Sequence, residues 1–251
     1  MKTFLLAFSA CTLAAFTSYG QTYPADTTAA PTLKAQANHV ATELNVNPFN
    51  GTISLNNSIN QLKFRYFMVP NLALRLGLNG SRVSDLSENV NPYGTNSYRY
   101  KSERSSTTIG VNIGVEKHFA GTRRLSPYVG ADFAVVKKSS EHEITEGQNT
   151  TTITGAWRSG TLYQNGYSYS YGERGYTSYG INLVTGFDFY MAKNFFFGYE
   201  MNFGFSQKSM EEIDVKQTGS NTTPSDNGDV KDTSFSFGPS LMNGVRIGYV
   251  F

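Results

Sequence analysis

Nine charged residues carry most of the chemical information in this sequence: Glu43, Lys63, Arg65, Arg75, Glu116, Asp132, Asp188, Glu200 and Arg246. Each alternates with apolar neighbours at period two, which places it on the polar face of a half-buried strand. Four are cations and five are anions. Gathered on one inward face, they could line a narrow ion pathway or pair with one another and fill the space. Unpaired buried charge is costly whereas paired charge is tolerable, and near-equal numbers of the two signs favour pairing.

Other reactive groups are scarce. The three histidines, His39, His118 and His142, stand in no recognisable nucleophile–base spacing, so no catalytic residue is assigned and no enzyme is expected. His142 is flanked by Glu141 and Glu143, but a metal centre needs more ligands than this tripeptide offers. Glu211 and Glu212 lie in a polar stretch and read as solvated surface. The glycines alternate along strands and precede no helix, which excludes a phosphate cradle. No cofactor and no metal is expected. The only cysteine, Cys11, lies in an N-terminal apolar run, so the remaining chain has no disulfide or thiolate site. A formal net charge of +2 provides no strong field for nucleic acid.

The elements that must position the nine charges follow from composition and period. The 251 residues include 18 Phe, 16 Tyr and 24 Gly but only 16% charged residues, a balance suited to strands, corners and interfacial rings. Residues 1–20 read as a cleaved secretory signal: Lys2, an apolar run from Phe4 to Phe16, then Ser18-Tyr19-Gly20 before the cut. Residues 21–37, rich in Thr, Ala and Pro, read as a flexible periplasmic segment. Beyond them no stretch approaches the ~18 consecutive apolar residues of a membrane helix. A membrane-embedded form must therefore be a barrel.

Eight amphipathic strands are expected within 38–251. Their apolar faces run through Val40–Val46, Leu62–Met68, Leu72–Leu78, Ile109–Val115, Val129–Val135, Ile181–Phe189, Phe195–Phe205 and Val245–Phe251. Short and long connections alternate. The short ones are 69–71, 120–126 and 191–194; the long ones are 49–58, 84–104, 139–174 and 209–232. Membrane barrels sort their connections this way, with tight turns on one rim and long loops on the other. Aromatic residues gather at both strand ends: Phe64, Tyr66, Phe119, Tyr128, Phe187, Phe189, Tyr190, Phe195, Phe197, Tyr249 and Phe251 at one, and Tyr176, Tyr179, Phe203, Phe205, Phe235 and Phe237 at the other. Two such belts match interfacial girdles. The third long connection holds the only Trp, Trp157, and a run with Tyr163, Tyr167, Tyr169 and Tyr171. Tyr, Ser, Gly and Asn build adaptable recognition surfaces, and the alternation points to a hairpin with an exposed edge. A solvated hairpin without a partner accounts for the same residues equally well.

The last strand, with Val245, Ile247, Tyr249 and a terminal Phe251, resembles the signal by which barrel-assembly machinery recognises unfolded outer-membrane proteins. The chain from 38 to 251 resembles the outer-membrane β-barrel domain family of small OmpA- and OmpX-like barrels, without the OmpA-type periplasmic domain. The resemblance implies an all-β, eight-stranded antiparallel up-and-down transmembrane barrel in the outer membrane of a Gram-negative bacterium. The alternation of short and long connections places both termini in the periplasm and four loops outside, and a monomer is expected, with outer-membrane lipid around it and assembly machinery as a biogenesis partner. The expected function is structural or adhesive, with loops contacting an extracellular ligand or host surface above an ion-paired, closed lumen. A narrow pore for ions or small solutes is the alternative, and a lipid-modifying enzyme a third.

Overall fold

Alternating apolar and polar side chains leave this chain one economical solution in lipid, a sheet that closes on itself and so has no open edge. The computed structural model takes that solution. It describes residues 33–46, 59–91, 98–163, 166–219, 232–241 and 245–251. The first five strands are β1 (Val40–Val46), β2 (Ile59–Val69), β3 (Leu72–Asn91), β4 (Tyr98–His118) and β5 (Leu125–Glu146). Next come β6 (Asn149–Thr154), β7 (Trp157–Tyr163), β8 (Gly166–Gly172) and β9 (Tyr176–Ala192). The last four are β10 (Phe195–Met210), β11 (Asp214–Thr218), β12 (Thr233–Leu241) and β13 (Val245–Val250).

Neighbouring strands pair antiparallel in the order β1-β2-β3-β4-β5-β9-β10, and β10 pairs with both β12 and β13. The last two strands together make the eighth stave. β13 then pairs with β1 from Ala41↔Val250 to Val46↔Val245 and closes the ring. The up-and-down order of eight staves is the expected one. The signal segment, the connection 49–58 and most of 21–37 lie outside the described residues.

The pleat sorts the faces as lipid requires. Leu74, Leu76 and Leu78 on β3, Ile113 and Val115 on β4, Phe133 on β5 and Ile181 on β9 are all exposed on the outside. The apolar band ends where Arg82, Thr107, Lys137, Thr177 and Gln207 take over the outer positions. The partner face is buried and charged. Ile247, Tyr249 and Phe251 at the end of the chain point outward, into the zone that lipid occupies.

Three expectations need correction. Most of the residues assigned to the long connections are strand: β3 and β4 run 20 and 21 residues, and β5 runs 22. At about 3.3 Å per residue, β5 is roughly 70 Å of ladder, far more than a ~30 Å hydrocarbon core requires. Above the band both faces are mainly polar, with only scattered aliphatics such as Leu86, Val90, Ile144 and Ile153, so the apolar alternation that marks a strand is lost although the Thr, Ser and Tyr content still favours one. Second, Tyr128 and Tyr190 leave the proposed girdle; each is 1% exposed and faces inward. Third, residues 33–37 are packed. Leu33 and Ala35 are buried in a cluster with Ala41, Phe67, Ala73, Tyr190, Phe196 and Val250. Lys34 Nζ donates to Ala120 O at 2.8 Å and Asn194 N donates to Leu33 O at 3.5 Å. The segment thus lies across the end of the barrel that carries the short turns.

The face assignment yields a direct prediction. Leu76→Arg places a cation in the outer apolar band and should cost about 2–4 kcal/mol. Urea unfolding from lipid vesicles, against a Leu76→Ala control, measures it.

Candidate functional site: a charged lumen beneath a strand-built platform

All nine charged residues singled out above meet inside the barrel, none more than 6% exposed. Arg65, on β2, is the hub: its guanidinium lies 2.8 Å from Glu116, 2.7 Å from Asp188 and 3.0 Å from Glu43. Arg75, on β3, reaches Glu116 at 3.1 Å and Glu200 at 3.0 Å. Arg246, on β13, holds Glu43 at 3.0 Å and Asp188 at 2.8 Å. Lys63 sits between Glu200 at 3.2 Å and Glu43 at 3.4 Å. Each carboxylate except Asp132 therefore touches at least two cations. Asp132 lies 3.0 Å from Arg75 Nε but without hydrogen-bond alignment, so that contact is electrostatic alone.

Backbone geometry makes room for these long side chains. A Cβ on Gly198 would meet the Arg246 guanidinium at 2.8 Å, and one on Gly114 would strike the Asp132 carboxylate. Arg65 is further walled by aromatic faces, with its guanidinium carbon 4.8 Å from the Phe196 centroid and 5.6 Å from Phe67. An eight-stranded barrel is just wide enough for its own side chains. Here the side chains that fill it are paired.

Three members of the network carried no sequence signal. Tyr128 OH donates to Glu200 at 2.6 Å. His118 contacts Glu116 through Nε2 and Ser126 through Nδ1, both at 2.9 Å. Ser126, His118 and Glu116 thus line up in the order nucleophile, base, carboxylate, a juxtaposition that sequence spacing did not reveal. His118 and Ser126 are each 5% exposed, and the rings of Phe67 and Tyr128 stand 5.3 and 5.2 Å from the imidazole. Both Glu116 oxygens accept from arginines as well.

At the far end, β3, β4, β5, β6 and β11 continue as a sheet above the apolar band. β5 changes partner there, from β9 up to Lys138 to β6 from Glu141 onward. β7 and β8 form a separate hairpin. Trp157 anchors it: the half-buried indole donates to Ser105 O at 2.9 Å, so this residue is turned toward the sheet rather than offered as a free contact. Tyr169 and Tyr171 are exposed, and Arg158 stacks on Tyr169 with 4.5 Å to the centroid. Tyr163 and Tyr167 occupy β7 and β8 as one cross-strand neighbourhood, Leu162↔Tyr167 and Tyr163↔Gly166.

His142 is 1% exposed on the inner face of this sheet, while its strand neighbour Glu141 points to the opposite face. Alternation therefore separates the residues of the Glu-His-Glu tripeptide, and no metal-holding cluster occurs among the described residues. The ring's Nδ1 accepts from Arg158 N at 3.0 Å. With Nδ1 accepting, Nε2 of the neutral ring carries the hydrogen and donates to Ser102 Oγ at 2.9 Å, and the longer 3.4 Å approach of Arg104 Nε is the weaker claim on that nitrogen. Oriented this way, His142 is no base for Ser102. Burial, with Arg104 and Arg158 nearby, pushes the imidazole down to about 4.

Residues 45–234 match the family model described as "Putative OmpA-OmpF-like porin family". The chain belongs to that family. It is an outer-membrane β-barrel of the porin-like, OmpA-like type. No curated protein sequence matches it. Among solved structures, it is similar to Acinetobacter baumannii CarO2, with 13% identity, 84% of this chain and 97% of that chain covered, and a TM-score of 0.29. It is also similar to the outer membrane protein AlkL in DMPC lipid bilayers, at 11% identity, 93% and 97% coverage and a TM-score of 0.33.

Two outcomes follow from the charge geometry. Removing the hub leaves three carboxylates short of a partner, so Arg65→Met should destabilise the barrel by about 3–5 kcal/mol. Asp132→Asn, which removes one misaligned contact, should cost far less; urea titrations of both variants test the ranking. His142 supplies a pH dependence. Its folded form resists protonation while the unfolded ring binds a proton near the ordinary histidine value of 6.5. Stability of the upper sheet should therefore fall as pH drops from about 6.5 to about 4, and His142→Phe should flatten that slope. Amide exchange of β5 and β6 against pH measures it.

Proposed function

We propose that this protein is a non-conducting, non-enzymatic outer-membrane barrel that carries an extracellular strand-built platform for binding. Both termini and the short turns face the periplasm in this reading, and residues 1–20 are the export signal. The observation that carries the proposal is the lumen network: nine charged side chains, all buried and cross-linked between opposite walls, in a barrel too narrow to hold them and a water column together. The packed segment 33–37 adds a second obstruction at the short-turn end.

The platform side of the reading rests on length and stiffness. Paired strands rising well above the apolar band hold Tyr169 and Tyr171 at little entropic cost to a partner. An enzymatic reading gains support from the Ser126–His118–Glu116 alignment, but the burial of that trio and its flanking rings leave no place for an ester or acyl chain. We therefore keep it structural.

A narrow pore is the competing reading, favoured by the family's porin description. Purified protein in planar bilayers should show no discrete openings; reproducible unitary steps by the wild-type chain would sink the closed-lumen proposal. A fluorophosphonate probe should leave Ser126 unlabelled, and stoichiometric labelling that Ser126→Ala abolishes would instead establish the enzymatic reading.

A further inference from the structure

A groove of about 250 Å³ opens on the upper sheet, lined by Asp85, Leu86 and Ser87 of β3 and Tyr100, Ser102 and Arg104 of β4. Its volume lies below the ~300 Å³ lower end of drug-sized sites, which limits an occupant to something like one sugar ring. Asp85 and Arg104 are cross-strand partners, yet no ion pair joins them among the described residues. The guanidinium is drawn away instead toward the hairpin, where Nη2 donates to Arg158 O at 3.3 Å. Two opposite charges thus face one small space without neutralising each other. The remaining lining is three hydroxyls and one aliphatic side chain.

The ring of His142 sharpens the electrostatics. Arg104 Nε approaches Nε2 of this ring at 3.4 Å and Nη2 donates to Arg158 O, which leaves the Nη1 hydrogens and the second Nη2 hydrogen as donor capacity for a ligand. Arg158 adds a second cation nearby, and no carboxylate pairs with either arginine among the described residues. A guanidinium fork matches a carboxylate. Asp85, which accepts but does not donate, matches sugar hydroxyls; Ser87, Ser102 and Tyr100 both donate and accept.

We propose that this groove binds one acidic monosaccharide unit, a hexuronate, with the carboxylate on Arg104 and ring hydroxyls on Asp85 and the neighbouring hydroxyl side chains. The proposal names a ligand class for the platform and so rests on the binding role given above. Purified barrel in detergent micelles separates the two, because ligand binding there depends neither on conductance nor on orientation in the membrane.

The test uses D-glucuronate, D-glucose and acetate in ligand-observed saturation-transfer NMR, with fluorescence of the sole tryptophan, Trp157, as a second readout. The expected result is saturable glucuronate binding, at least tenfold weaker with glucose and with acetate, and reduced at least tenfold by Arg104→Gln and by Asp85→Asn. Ser159→Ala, on the hairpin away from the groove, should bind as wild type. Retention of the heat-modifiable gel band shows that each variant is folded. Absence of saturable glucuronate binding up to about 50 mM, well past the millimolar range of weak single-sugar sites, overturns the proposal. Equal binding of acetate and glucuronate also overturns it, since the groove would then be an anion site blind to sugar. Undiminished binding by folded Arg104→Gln does the same.

Discussion

The β1–β13 ladder is the contact on which the rest of this structure depends. Six residue pairs, from Ala41↔Val250 to Val46↔Val245, join the first stave to the last. Without them, two strand edges would present unpaired N–H and C=O groups to hydrocarbon, at several kcal/mol for each group. With them, every stave has two neighbours, and the outward apolar face and inward polar face become defined for the whole sheet at once. The outward-facing Ile247 and Tyr249 belong to the strand that completes the ring.

Closure also dictates what the lumen must be. Once eight strands close, the interior admits side chains and little else. Charged residues placed there lose bulk water and must find each other. The chain answers with arginines that each bridge two or more carboxylates from different strands, and with glycines opposite the bulkiest groups. Such a network need not add much net stability over an apolar filling of the same volume. Its contribution is to specificity: a slip of one residue in any ladder would turn a lumen charge toward lipid.

Above the membrane band the constraint relaxes, and the chain uses the freedom differently. Water satisfies edges there, so β5 exchanges β9 for β6, β11 joins the far side, and β7 and β8 separate into a hairpin held by Trp157. Long strands replace loops. They produce a surface whose polar groups are held by backbone ladders rather than by sequence-local turns, and the Asp85–Arg104 groove belongs to this region.

Period two, the spacing of short and long connections and the terminal strand were enough to read eight staves, their inward charges and the membrane-facing residues, because lipid on one side and a narrow lumen on the other impose alternation locally. The partners of each charge were not legible: Arg65 meets Glu116 and Asp188 across 51 and 123 residues, and only barrel closure brings them together. The inward turn of Tyr128 and Tyr190 was hidden for a related reason, since an aromatic residue near a strand end looks alike from either face until the register is set. The upper strands escaped notice because their residues are mostly polar on the covered face as well as the exposed one, which erases the apolar alternation. Local sequence thus determined which residues face lipid, and tertiary structure decided which charges, hydroxyls and rings meet, because those contacts join strands far apart in the chain.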